Sequence, residues 1–243
     1  MIDNFDIIRS HLTFESDFDR YIVHIIKRAK DDRGVEYGSN ETNRLIKTFY
    51  ITSLEYFDRK IPVIKDLCES NGARAYILPQ VRNNKDCMKE LLKIVVDNLG
   101  NPTLKPDRLI RSAYCGYHGS RDKKWIIDLD SDNMVEYINK DKKKTWKPEK
   151  VLEFVKKQLV NIGKSENDAW MIPTKNGHCI VTSPFDLQKA YKKCSMMFQG
   201  QQKMEVGTEY FGVEEHPKMK AVTGWMIKDG MALLYVNQGE EKK

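Results

Sequence analysis

The segment Trp125-Ile126-Ile127-Asp128-Leu129-Asp130 constrains the fold more than any other. Its apolar run, β-branched at Ile126 and Ile127, is too short for a helix and fits a buried strand. Side chains alternate along a strand, so Asp128 and Asp130 share one side and Ile127 and Leu129 take the other. Their Cα atoms lie roughly 7 Å apart in an extended chain, near enough for both carboxylates to reach one metal ion. Two anions so close repel, and a hard divalent cation, Mg²⁺ or Mn²⁺, relieves that repulsion through oxygen ligands. The competing reading is that the strand ends here and the acids enter a turn, since a bare Asp-x-Asp pair is common.

Around this strand, helical and extended patterns alternate. Ile2 to Leu12 has helical spacing, Tyr21 to Lys27 and Leu45 to Ile51 read as strands, and Asp31 to Asn43 reads as a loop. Ser53 opens a helix that Pro62 is expected to break or kink before Val63 to Cys68 continues it. Ala73 to Leu78 is a short strand. Asn84 to Leu99 carries apolar residues at 88, 91, 92, 95, 96 and 99, an amphipathic helix closed by Gly100. Further along, the pattern predicts strand 125–130, a helix near 133–140, a Lys-rich link at 140–147 and helix 148–162. Strands 169–173 and 178–182 follow, then helix 184–197 capped by Ser183, and a terminal strand 232–236. These elements predict an α+β fold, with an N-terminal α/β lobe over 1–105 and a C-terminal lobe over 106–243.

Charge and cysteine content narrow the function classes. The chain has 243 residues and a formal charge of +6, a mild surplus that favours nucleotides or nucleic acid as partners. No apolar run reaches the roughly 20 residues of a membrane span, and the charged N-terminal stretch is no signal peptide. Five cysteines without a C-x-x-C pair argue against a disulfide framework, so a reduced, cytoplasmic protein is expected. The Lys-, Asn- and Ile-rich usage suits an AT-rich bacterial or phage genome.

A second constellation lies at Ile172 to Thr182. Asn176-Gly177 is a strong hairpin signal, and His178 follows it directly. Lys175 and the turn's backbone N–H groups suit a phosphate, although a lone histidine is more often structural. Cys115-x-x-His118 with His178-Cys179 offers four soft ligands, but the spacing is not that of a structural knuckle, and zinc is not expected. The run from Lys140 to Lys147 is basic with one aromatic, Trp146. It reads either as a solvated loop or as a track for a nucleic-acid backbone with a stacking tryptophan.

An Asp-x-Asp strand followed by a strand pair with a small-residue turn and a histidine resembles the archaeo-eukaryotic primase superfamily, the primase-polymerases. The resemblance covers roughly residues 73–236. It implies a two-lobed α/β sandwich with an RRM-like catalytic sheet flanked by helices. Asp128 and Asp130 match the first motif, with Asp229 as the nearest third acid, and the three would bind Mg²⁺ or Mn²⁺. Asp229 lacks the apolar residue that the family prefers before this acid. Asn176-Gly177-His178 matches the second motif, His178 contacting the incoming nucleotide's phosphates and Thr174 supplying the small hydroxyl residue. Lys175, Arg74 and Arg82 would steady the triphosphate. The implied activity is two-metal nucleotidyl transfer, extending a nucleic-acid 3′ end or priming synthesis. A metal-dependent nuclease and an inactive nucleic-acid-binding protein of the same fold are the alternatives.

Overall fold

The computed structural model describes residues 1–28, 43–101, 103, 105–115, 122–130, 136–139, 142–145, 148–190, 226–228 and 230–237. It is a mixed α/β protein of antiparallel strand pairs and helices. In chain order the elements are β1 (Ile2–Asp3), α1 (Phe5–Arg9), β2 (Asp19–Lys27), β3 (Arg44–Ile51), α2 (Leu54–Asn71), β4 (Arg74–Asn83), α3 (Asn84–Asp97) and α4 (Pro106–Cys115). There follow β5 (Trp125–Asp130), β6 (Glu136–Asn139), β7 (Lys142–Thr145), α5 (Pro148–Val160), β8 (Ala169–Thr174), β9 (Gly177–Thr182), β10 (Met226–Lys228) and β11 (Ala232–Val236). Contacts divide the chain into two compact units, 1–123 with 233–243, and 124–232. The sequence placed the boundary at 105/106 and kept the C-terminus with the second lobe. Here α4 stays with the first unit, and the last strand returns to it.

The first unit holds a five-stranded sheet in the order β1-β11-β4-β2-β3. Its centre is β2, antiparallel to both β3 and β4, with Val23 opposite Phe49 on one side and Ile77 on the other. Because Ile22, Val23 and Ile25 are all fully buried, both faces of β2 are covered, as its unbroken apolar run requires. Helix α2 supplies Phe57, Ile64 and Cys68, each 1% exposed or less. Ser53 caps it by accepting a hydrogen bond from the Tyr56 N–H at 3.1 Å. At its other end Gly72 takes the left-handed conformation, φ 56°, and the Ala73 N–H donates back to the Cys68 carbonyl.

Two expectations change in this unit. The N-terminal stretch is not one helix: Ile2–Asp3 pairs with Val236 and Tyr235 as an edge strand, and only Phe5–Arg9 is helical. The Asn4 side chain donates to the Leu233 carbonyl at 2.8 Å, anchoring the strand-to-helix turn. Helix α2 also runs unbroken through Pro62. Proline in a helix interior costs about 3 kcal/mol. Burial of Phe57, Ile64 and Cys68 on both sides of it returns about 1.5–3 kcal/mol for each of the two large side chains, which outweighs the lost bond.

The second unit holds a four-stranded sheet in the order β10-β5-β9-β8. Ile127, Leu129 and Ile180 form its apolar face with Val151, Phe154, Val155 and Leu159 of α5. Trp125 meets Phe185 edge-on at 5.6 Å. Past β9, the expected cap moves. Asp186, not Ser183, receives the helical N–H, from Lys189 at 3.0 Å, while the Ser183 hydroxyl accepts from Lys124 Nζ at 3.1 Å. The helix expected near 133–140 is instead β6, which pairs with β7 as a separate two-stranded ribbon, so Lys142–Thr145 is strand rather than link.

Candidate functional site

β5 lies between β10 and β9, and Asp128 is paired on both sides, with Met226 and Cys179. The β5–β9 register sets Asp128 opposite Cys179, Leu129 opposite His178 and Asp130 opposite Gly177. β9 pairs in turn with β8, Cys179 opposite Ile172, His178 opposite Pro173 and Gly177 opposite Thr174. Directly opposed residues of an antiparallel pair stand on the same face. Three rows therefore cross the sheet. Asp128, Cys179 and Ile172 form one, Leu129, His178 and Pro173 the next, and Asp130, Gly177 and Thr174 the last.

The first and last rows share a face. That face brings together Asp128, Asp130 and Thr174, three of the residues singled out from sequence. Between Asp130 and Thr174 stands Gly177, which has no side chain, so the two outer positions are separated by two strand spacings, roughly 10 Å, with no β9 side chain between them. Thr174 Oγ1 is buried and has no hydrogen-bond partner among the described residues. An unsatisfied buried hydroxyl costs on the order of 1–3 kcal/mol. Asp128 is half-buried, whereas Ile126, Cys179, Val181 and Ile172 around it are 3% exposed or less. The positions on this face carry carboxylates and a hydroxyl, and Cys179 is the register partner of Asp128. Oxygen donors are the kind that Mg²⁺ or Mn²⁺ takes, although among the described residues no group of three or more His, Cys, Asp and Glu could hold a metal ion.

His178 stands in the middle row, on the face of Leu129 and of the α5 core. It is therefore on the opposite side of the sheet from Asp128 and Asp130. Its sequence neighbour Cys179 occupies the position facing Asp128, a placement that sequence reasoning missed. The same alternation separates His178 from Cys179, so the two cannot act as adjacent ligands of one ion. Lys175 and Asn176 are exposed in the turn between β8 and β9. Arg74 and Arg82 lie on β4 of the first unit and are buried, at 6% and 4% exposure. Arg74 is opposite Ile26 and Arg82 opposite Arg20. Asp229, His118 and Trp146 lie outside the described residues, as does the loop read over 31–43 apart from Asn43.

The first unit carries a polar row of its own. His24 opposes Thr48 on β3 and Tyr76 on β4, and its Nδ1 is 2.9 Å from Thr48 Oγ1. Arg28 donates to the Tyr76 hydroxyl at 3.4 Å. Among the described residues, no helix is long and apolar enough to cross a membrane. Comparison with family models gave no match, and neither the curated proteins nor the solved structures gave a significant one.

Proposed function

We propose that the chain is a metal-dependent nucleotidyltransferase of the primase-polymerase type, adding nucleotides to a nucleic-acid 3′ end or priming synthesis. In this reading the protein is two-lobed, and the sheet carrying β5 is its RRM-like catalytic sheet. The observation that supports it is the shared face of Asp128, Asp130 and Thr174 across the gap at Gly177. Asp128 and Asp130, with Asp229 as the third acid, hold the ions. Bound there, Mg²⁺ or Mn²⁺ would neutralise charge on the transferring phosphate and ease deprotonation of the attacking hydroxyl. Thr174 Oγ1 donates to a phosphate oxygen or an ion-held water, and Lys175 at the turn adds positive charge at the mouth of the gap. His178, which the resemblance sets at the nucleotide's phosphates, lies on the other side of the sheet, so that role is not carried over, and Arg74 and Arg82 belong to the first unit.

A nuclease using the same carboxylates is the second reading, and the position of His178 favours it: the phosphate contact that the primase resemblance assigns to this residue belongs on the acidic face. One experiment separates the two. Labelled NTPs or dNTPs, a primed template and Mn²⁺ give extension products under the first reading and shortened oligonucleotides under the second. In both, Asp128→Asn and Asp130→Asn lower the rate on the order of 10²–10³-fold, the equivalent of several kcal/mol of metal-derived stabilisation. His178→Ala changes it by no more than a few-fold. Neither product from the wild-type chain means that the acidic pair is not catalytic.

A further inference from the structure

Helix α3 carries an apolar stripe that the fold leaves open. Met88, Leu92 and Val96 recur at every fourth residue, and Leu99 follows just past the helix end. The four are 43%, 63%, 63% and 74% exposed. At about 100° per residue, Met88 and Val96 each fall about 40° from Leu92 around the helix axis, so the row is narrow and continuous. Helix α4 packs against α3, and Cys87 is buried, yet the stripe stays uncovered. Apolar side chains gathered in one exposed row mark a contact surface, unlike single ones scattered over a protein.

The charges of α3 decide what can cover it. Lys85, Lys89 and Lys93 are balanced by Asp86, Glu90 and Asp97. Lys89 lies 3.2 Å from the Asp86 carboxylate and Lys93 3.6 Å from that of Glu90. Without net charge, the helix has little to draw a polyanion or an anionic lipid surface. Around the axis, Lys85 lies about 20° and Lys89 about 60° from Leu92, Lys93 about 100°, and the three acids about 120–160°. The stripe is therefore flanked by lysines in its N-terminal half only, and the last turn has no basic residue to answer the partial negative charge of the helix end. A second α3 laid antiparallel answers both ends at once. It brings Lys85 and Lys89 of each copy to the C-terminal end of the other. It also keeps the two Lys85 positions about 21 Å apart, far beyond the roughly 8 Å over which charges act at physiological salt. A parallel copy brings the lysines together instead.

We propose that the chain pairs with a second copy of itself through α3, antiparallel about a two-fold axis at Leu92, with Met88 of each copy against Val96 of the other. Such a contact is self-complementary and closes at two copies. Three helical turns make a small interface, at the weak end of specific contacts, so the dimer is reversible. It lies in the first unit and does not rest on the acidic face. Sedimentation of the full chain tests it: the wild type passes from monomer to dimer between about 1 μM and 1 mM. Leu92→Lys weakens association more than about tenfold while its urea midpoint stays at the wild-type value, since the side chain is exposed. Lys93→Gln, off the stripe, dimerises as the wild type. Under mild oxidation Leu92→Cys links to itself, whereas Met88→Cys and Val96→Cys link only when mixed.

A wild type that stays monomeric to about 1 mM overturns the proposal. So does a dimer that Leu92→Lys leaves intact, because its interface is then elsewhere. Met88→Cys linking to itself as readily as Leu92→Cys means parallel helices and overturns the antiparallel pairing. A monomeric wild type that floats with vesicles of phosphatidylserine and phosphatidylcholine assigns the stripe to a lipid surface, which likewise overturns it.

Discussion

Arg9 grips Asp58 through two hydrogen bonds, Nε to Oδ1 at 2.7 Å and a terminal nitrogen to Oδ2 at 2.8 Å, tying α1 to α2. The guanidinium holds the Asp58 carboxyl below its ordinary value of 3.8. A lowered folded value contributes stability above pH 3.8 and loses it as pH falls through that lowered value. Both side chains are 41% exposed, so the pair is screened and its contribution small. Urea midpoints of the wild type and Asp58→Asn are expected to differ at neutral pH and to converge in acid or high salt. Cys68 works in the opposite sense. Burial pushes its thiol from 9.0 up to about 12, so its contribution is intact below about pH 9 and is lost as pH rises toward 12. Tyr235 is raised too, by burial and by donating to the Glu69 carboxylate at 2.6 Å. The denaturation midpoint therefore falls on the alkaline side of pH 9, and Cys68 resists alkylation in the folded chain. At the acidic face, the common orientation of Asp128 and Asp130 was readable from alternation alone. The side taken by His178 was not, because it depends on which β9 residue opposes Asp128. A slip of one residue exchanges His178 for Cys179, and no local signal fixes that register.

Helix α2 has its ends written in the chain, Ser53 before it and Gly72 after it, and both behave as their chemistry dictates. Ser53→Ala is expected to cost about 1 kcal/mol, since it strands the Tyr56 N–H. Phe57→Ala removes a fully buried ring that lies 5.8 Å from Phe5, and costs about 3–5 kcal/mol. Denaturant unfolding of both variants measures the difference. Elements with local signatures were legible to within a residue or two: β5, α5 and β11 fall where their patterns place them. β6 was not, because Met134, Tyr137 and Ile138 have the spacing of a helical face, whereas the pairing with β7 that makes Glu136–Asn139 a strand is a contact between segments. Helix α3 shows the converse limit. Its period is helical, yet Met88, Leu92, Val96 and Leu99 of the apolar stripe are 43–74% exposed, and Cys87 is the helix's buried residue. Periodicity tells that a helix forms, not how much of its apolar side is covered.

At the scale of the whole molecule, the last strand belongs to the first unit. β11 stands between β1 and β4, with Leu234 and Tyr235 buried and Tyr235 6.1 Å from Phe5. No composition shift announces this return, so the sequence suggested a single boundary where the chain makes an excursion and comes back. Truncation after Met231 is expected to loosen β1 and α1 and expose the α2 core, while the core of Ile127, Phe154 and Ile180 stays intact. Hydrogen exchange read element by element checks this: protection falls in α2 and β4 and holds in α5 and β9. The arrangement also sets an order of events during synthesis. The ribosome releases β2, β3 and β4 early, but β11, the neighbour of β4, follows about 150 residues later, and at about 5–20 residues per second the gap lasts several seconds or more. Through that interval β4 presents an unpaired edge, while the 124–232 unit is completed before the unit whose sequence flanks it on both sides.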